Sequence, residues 1–198
     1  GWDGLTAKTM KFVADQISEP LAHICNRSFQ EGYVPPELKY ARVTPIYKKG
    51  STTSIINYRP ISILPIFSKI LEKLVAKRLQ SFLDKHKMIH DNQFGFRKNH
   101  NTTSAVAFLC DEIIQNYEKG LSVLGVFIDL QKAFDTIDHS ILIDKLRHYG
   151  IRGVALQWFI SYLKERTQSV QIRHTKSLKL SINCGVPQGS ILGPIHFI

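Results

Sequence analysis

The run Val123-Leu124-Gly125-Val126-Phe127-Ile128 constrains this chain more than any other stretch, because it carries no polar side chain and closes on Asp129. Unbroken apolar, β-branched-rich runs of this length read as strands buried on both faces, so residues 123–129 are expected to lie inside a sheet. The strand ends in a carboxylate, and an aromatic, Phe134, follows on a turn. Taking a carboxylate out of water costs several kcal/mol unless a cation or strong donors compensate it, and a divalent metal ion is one such partner. An Asp at a strand end is also a common turn former or helix N-cap, and both readings stand at this point.

A second segment, Gly185-Val186-Pro187-Gln188-Gly189-Ser190-Ile191-Leu192-Gly193-Pro194, sets three glycines and two prolines around one Gln. Such a loop lets backbone come close to a ligand while one amide side chain points at it. A plain connecting loop has the same composition.

Phe127-Ile128-Asp129-Leu130-Gln131-Lys132-Ala133-Phe134-Asp135 and Gly185-Val186-Pro187-Gln188-Gly189-Ser190, in this order, resemble motifs A and B of reverse transcriptases, in particular those of non-LTR, jockey-like LINE retrotransposons. The likeness continues upstream through Pro45-Ile46-Tyr47-Lys48-Lys49-Gly50, Asn57-Tyr58-Arg59-Pro60-Ile61-Ser62 and Gln93-Phe94-Gly95-Phe96-Arg97, and so covers essentially the whole chain. Several separately specific motifs in one order weigh far more than a single match. The resemblance implies an α+β chain with the right-hand polymerase fold. Residues 1–120 would form a fingers-like region with an N-terminal helical extension, and 121–198 a partial palm carrying motifs A and B, with the thumb absent. It implies an RNA-directed DNA polymerase that transfers nucleotides to a primer 3′-hydroxyl on an RNA template during retrotransposition. RNA template, DNA primer or target, and dNTPs would be the partners, with two Mg²⁺ ions, or Mn²⁺ in their place, as cofactors.

The same resemblance assigns roles to residues. Asp129 would be the catalytic, metal-binding acid, with the Leu130 carbonyl as a backbone ligand; Ala133, Phe134 and Gln188 would contact the incoming dNTP, and Phe134 would exclude a 2′-hydroxyl. Lys48, or Lys49 in its place, and Arg59 would neutralise the triphosphate. Arg97, Lys98, Gly185, Pro187 and Gly189 would contact template and primer. Phe94, Phe96, Arg97 and Lys98 interleave aromatics with cations, which suits a single strand and equally suits two core Phe residues beside a solvated basic edge. Asp135 and Asp138 read as turn and cap residues. One departure is large: the family's Tyr/Phe-x-Asp-Asp motif is absent, since no Asp-Asp dipeptide occurs in the chain. One carboxylate cannot hold two Mg²⁺ ions, so the parent protein resembles a polymerase while the isolated chain is expected to be inactive.

The charge balance agrees with a polyanionic partner: 26 Lys and Arg against 16 Asp and Glu leave a net charge of +10. That balance also suits a second reading, a decayed or domesticated fragment that binds nucleic acid without catalysis, whereas a purely structural interaction module would show no salt-dependent RNA affinity. Cys25, Cys110 and Cys184 are odd in number and far apart, which argues against a disulfide framework or zinc site and for a reducing, intracellular setting; nucleus and cytoplasm are expected for the parent element. No apolar run approaches the roughly 20 residues of a membrane span, so no membrane partner is expected. The missing initiator Met and the apolar stretch 194–198 suggest a segment of a longer protein.

Hydrophobic spacing predicts two helices between Thr6 and Gly32, with a break at Ser18 and Pro20. A strand over Ala41–Tyr47, a loop over Lys48–Tyr58 and an extended Ile61–Leu64 follow. A long amphipathic helix carries Phe67, Leu71, Val75, Leu79 and Leu83, and another runs from Thr103 to Lys119, capped by Asn101 or Thr102. Two further helices, Ile141–Tyr149 and Val154–Leu163, precede a hairpin of Ser169–Ile172 with Leu178–Ile182.

Overall fold

In the computed structural model, which describes residues 1–198, three of the seven α-helices begin at a side chain that accepts one of their first free N–H groups. Thr6 caps α1 (Ala7–Phe12) through the Thr9 N–H, and α2 (Ala14–Glu31) follows after one non-helical residue, Val13. The expected break at Ser18 and Pro20 is corrected: α2 runs through both, and the interruption falls at Val13. Pro20 deprives the Gln16 carbonyl of its helical donor, and Gln16 and Pro20 both sit on the exposed side, where water replaces that bond.

The hairpin of β1 (Tyr40–Tyr47) and β2 (Tyr58–Ile63) sets Arg42 opposite Ile63 and Ile46 opposite Arg59. β2 thus starts three residues before the expected Ile61, carried back to Tyr58 by pairing with β1. Asn101 rather than Thr102 caps α4 (Thr102–Glu118), in a reciprocal box with Ser104. Asp138 caps α5 (His139–His148) by accepting the Ser140 and Ile141 N–H groups, and α6 (Gly153–Leu163) follows. The Ser140 hydroxyl first, then those two N–H groups, holds the Asp138 carboxyl below its usual range.

β3 (Arg166–Ile172) runs parallel to β1, with Tyr40 opposite Thr167, and pairs antiparallel with both β4 (Thr175–Lys176) and β5 (Leu180–Ile182). The sheet order is β2-β1-β3-β4 with β5 also on β3, and α7 (Gly193–Phe197) ends the chain. Helices beside a mixed sheet make the chain α+β. No helix is long and apolar enough to cross a membrane.

The core lies where one face of α3 (Ile66–Lys85) meets α5, α6 and the Gln188 loop. Leu71, Val75, Leu79 and Leu83 recur at four-residue spacing and pack with Leu142, Leu146, Phe159 and Leu192. Trp158 stacks on Tyr162 at 5.4 Å between ring centroids and donates to Ser28 Oγ at 3.0 Å, which fastens α6 to α2.

The strand expected at 123–129 does not form. Residues 121–130 are irregular and exposed, Phe127 at 86% and Ile128 at 84%, and no backbone hydrogen bond involves Ser122 to Gln131. A strand exists only against a neighbour, and here the β2 edge is met by the Gln188 loop instead, through Ser62 N–H to the Gln188 carbonyl at 2.7 Å.

His196 on α7 is buried against the edges of Phe159 and Tyr162, and neither ring nitrogen has a partner. Burial first, then the Arg166 guanidinium and His139, lowers its pKa from 6.5 to about 3. The folded chain keeps this imidazole neutral while the unfolded chain protonates it below its ordinary pKa, so the unfolded state binds the extra proton and stability falls with pH. Urea midpoints are expected to drop between about pH 7 and about pH 5.5, and His196→Leu should flatten that limb. An equal drop in the variant assigns the effect to another group.

Candidate functional site

Three elements meet the loop that carries Gln188, two through backbone and one through a side chain. The Gly185 N–H donates to the Ile137 carbonyl at 2.7 Å and the Val186 N–H to the Phe134 carbonyl at 2.8 Å, joining the loop to the turn that follows Asp129. The Ser62 N–H donates to the Gln188 carbonyl, joining it to β2, and the Ile191 N–H donates to Glu72 Oε2 at 2.7 Å, joining it to α3. His139 Nε2 lies 2.7 Å from the Gly185 carbonyl.

The glycines have a local reason to be glycines. Gly185 has φ +78°, and a Cβ there would meet the Asp135 carbonyl oxygen at 2.7 Å; Gly189 has φ +113°, and its Cβ would come 3.0 Å from the Ser62 carbonyl. Both positions therefore exclude a side chain through the chain's own backbone, before any ligand is considered. Pro60, Ser62, Asp135, Gln168 and Gln188 line the resulting cleft of about 390 Å³. Gln188 Oε1 is buried without a partner, so this wall keeps an open acceptor.

Behind the loop stands a polar cluster that sequence reasoning missed. Glu72 is 1% exposed; its Oε1 accepts the Tyr162 hydroxyl at 2.9 Å while Oε2 holds Ile191. Burial raises the Glu72 carboxyl above its usual range, against the pull of the Ile191 N–H, the Arg166 guanidinium and the Tyr162 hydroxyl. Burial and the Glu72 charge also push the Tyr162 phenol up, so it remains a neutral donor. Arg166, fully buried, donates to the Tyr162 carbonyl at 3.1 Å and lies over the Tyr162 ring. The available signal was a polar pair, Ser68 and Glu72, on the buried stripe of α3 at helical spacing.

The residues singled out from the sequence fall into five groups. Phe134, Gly185, Pro187, Gln188 and Gly189 come together in or beside the cleft, with the half-buried Phe134 ring between Phe96 and Phe197 at 6.3 and 5.5 Å. Leu130 and Ala133 border an adjoining hollow with Asp138, Lys145 and His196. Lys48, Lys49 and Arg59 are exposed at the loop end of the β1–β2 hairpin, and alternation sets Arg59 on the face away from Pro60 and Ser62. Arg97 Nη1 donates to the His90 and Asp91 carbonyls at 2.9 and 3.3 Å, closing its own turn, with Lys98 exposed beside it. Asp129 is exposed and makes no hydrogen bond.

A divalent ion wants several oxygen ligands, and here Asp129 offers one carboxylate beside the Leu130 carbonyl. No group of three His, Cys, Asp or Glu gathers anywhere. The donor set of these residues alone does not fit a two-ion site.

The model of the reverse transcriptase (RNA-dependent DNA polymerase) family matches residues 46–198. Among curated proteins, the chain is 35% identical to the probable RNA-directed DNA polymerase from transposon BS of Drosophila melanogaster, over all of the chain and 22% of that relative. It is 37% identical to the RNA-directed DNA polymerase from mobile element jockey of the same species, over 98% of the chain and 21% of the relative. A 30% identity extends to the transposon TX1 149 kDa protein of Xenopus laevis, over 96% of the chain and 14% of that protein. The chain thus spans about a fifth of the length of the first two relatives.

Proposed function

This chain belongs to the reverse transcriptase (RNA-dependent DNA polymerase) family, and on that premise we propose that it is part of the RNA-directed DNA polymerase of a non-LTR retrotransposon. The observation that carries the reading is the joining of its two motif segments. The turn after Asp129 and the Gln188 loop form one wall, sealed by the bonds from Gly185 to Ile137 and from Val186 to Phe134.

In the complete polymerase, residues 1–120 act as fingers and 121–198 as part of the palm. The exposed apolar run 121–130 is then the palm strand that the rest of the protein covers, since an apolar patch of this extent marks an interaction surface. Asp129 and the Leu130 carbonyl supply part of a divalent-ion site whose other carboxylates lie outside this chain. Mg²⁺, or Mn²⁺ in its place, supplies charge neutralisation and alignment there. Ala133 and Phe134 seat the sugar of the incoming dNTP, and the Phe134 ring leaves no room for a 2′-hydroxyl. The Gln188 amide, its acceptor still open, orients the nucleotide. Lys48 and Arg59 at the hairpin end meet the triphosphate, while Arg97, Lys98, Gly185, Pro187 and Gly189 border the RNA template and DNA primer. With a single carboxylate gathered, the isolated chain binds nucleic acid without extending a primer. Three unpaired cysteines suit the reducing interior of a cell.

Primer extension on an RNA template by the full-length protein tests this reading. With Phe134→Ala, ribonucleotide incorporation relative to dNTP is expected to rise at least roughly tenfold, which is about 1.4 kcal/mol of lost discrimination. Unchanged sugar preference returns Phe134 to a packing role, and no extension by the parent protein removes the polymerase assignment.

A further inference from the structure

The sheet has two faces, and only one looks into the Gln188 cleft, through Pro60, Ser62 and Gln168. Alternation and register put Arg42, Ile61 and Ile63 on the other. Side-chain pairs carry that second face across β3 and β4. The Tyr40 and Ser169 hydroxyls lie 2.6 Å apart, Arg42 Nη1 donates to Gln171 Oε1 at 3.4 Å, and Gln171 stands opposite Lys176.

Two ammonium groups share the Tyr40 ring there, Lys176 Nζ at 5.1 Å and Lys179 Nζ at 4.7 Å from its centroid. Burial alone would raise the Tyr40 phenol, but Lys176, Ser169 and Lys179 together outweigh it and the net shift is downward, as expected beside unneutralised cations. No strand of the sheet contains an Asp or Glu. The chain's ion pairs join Gly1 to Asp3, Arg27 to Glu31 and Arg147 to Asp144, so none neutralises this face. Arg42 Nε is buried without a partner. Gathering like charges without acids costs free energy that a bound polyanion offsets.

We propose that this face is a second nucleic-acid surface, on which Arg42, Lys176 and Lys179 hold the phosphodiester backbone of a single strand on the side of the sheet opposite Gln188. Gln171, set among the cations, is a neutral hydrogen-bonding group suited to phosphate and sugar oxygens. Membrane-surface binding typically uses an amphipathic helix with an apolar flank to insert, and this face belongs to a sheet. Interactions of this kind position a strand without reading its sequence. The inference goes beyond the polymerase reading, since it needs only binding.

The test is fluorescence anisotropy of the 198-residue chain with labelled single-stranded RNA and DNA oligonucleotides across a salt series. Lys176→Ala with Lys179→Ala is expected to flatten the slope of log Kobs against log salt by roughly 1.4, about 0.7 for each phosphate no longer neutralised, on whichever strand this face carries. Lys176→Arg with Lys179→Arg should retain the slope, as should the same charge removal on α1, Lys8→Ala with Lys11→Ala. A slope unchanged on both oligonucleotides overturns the proposal, and so does an equal loss in the α1 variant. Loss of binding to phosphatidylserine vesicles with RNA binding intact would identify a lipid surface instead and overturn it too.

Discussion

Asp129→Asn in the full-length protein is expected to abolish Mg²⁺-dependent primer extension while leaving the melting temperature unchanged. The two halves of this expectation have separate grounds. Asp129 is exposed and makes no hydrogen bond, so replacing its carboxylate with an amide disturbs no packing, and surface changes of this kind stay within about 0.5 kcal/mol. An amide keeps the shape but loses the charge that a hard cation needs from its ligand. Asp138→Asn makes the matching control, since Asn also caps helices and α5 should persist with activity intact. Retained extension in Asp129→Asn removes the proposed metal role. A fall in melting temperature would instead give Asp129 a structural duty that its surroundings do not show.

What was legible in the sequence follows a physical line. Helices α3, α4, α5 and α6 were readable because their determinants are local: a stripe at helical spacing, and Asn101 or Asp138 accepting N–H groups two or three residues on. The hairpin after α6 was legible only in part by alternation: Leu180–Ile182 pairs with Arg166–Gln168 rather than with the expected Ser169–Ile172, whose last two residues pair with β4. The run 123–129 misled, because its apolar character reports the wish to be buried and nothing about the neighbour that would bury it. Pro20 misled in another way, since a helix tolerates proline where the orphaned carbonyl faces water. In the candidate site, Gly185 and Gln188 announced themselves by composition, but the Ile191 anchor on Glu72, separated by 119 positions, has no local signature beyond one charge on an apolar stripe.

That anchor carries the largest expected effect on stability. Glu72→Ala is expected to destabilise the 198-residue chain by roughly 3–5 kcal/mol, read as a lower urea midpoint, because three buried groups lose their partner at once. The Ile191 N–H and the Tyr162 hydroxyl become unsatisfied donors, and Arg166, fully buried with Nε and Nη2 already unpartnered, loses the nearby negative charge that favours it. Against a total stability typically near 5–15 kcal/mol, that loss is a large share of the fold. Glu72→Gln separates the contributions: its carbonyl can still accept one of the two donors, so the loss should be smaller, with the remainder reporting the missing charge beside Arg166. The consequence reaches the cleft, because Ile191 lies three residues beyond Gln188 and its N–H is the loop's tie to α3. In Glu72→Ala, amide hydrogen exchange at residues 185–192 should quicken more than in the cap and first turn of α4, which stands apart from the cluster. Uniform quickening along the chain would mean that Glu72 supports the fold without any particular hold on the Gln188 loop.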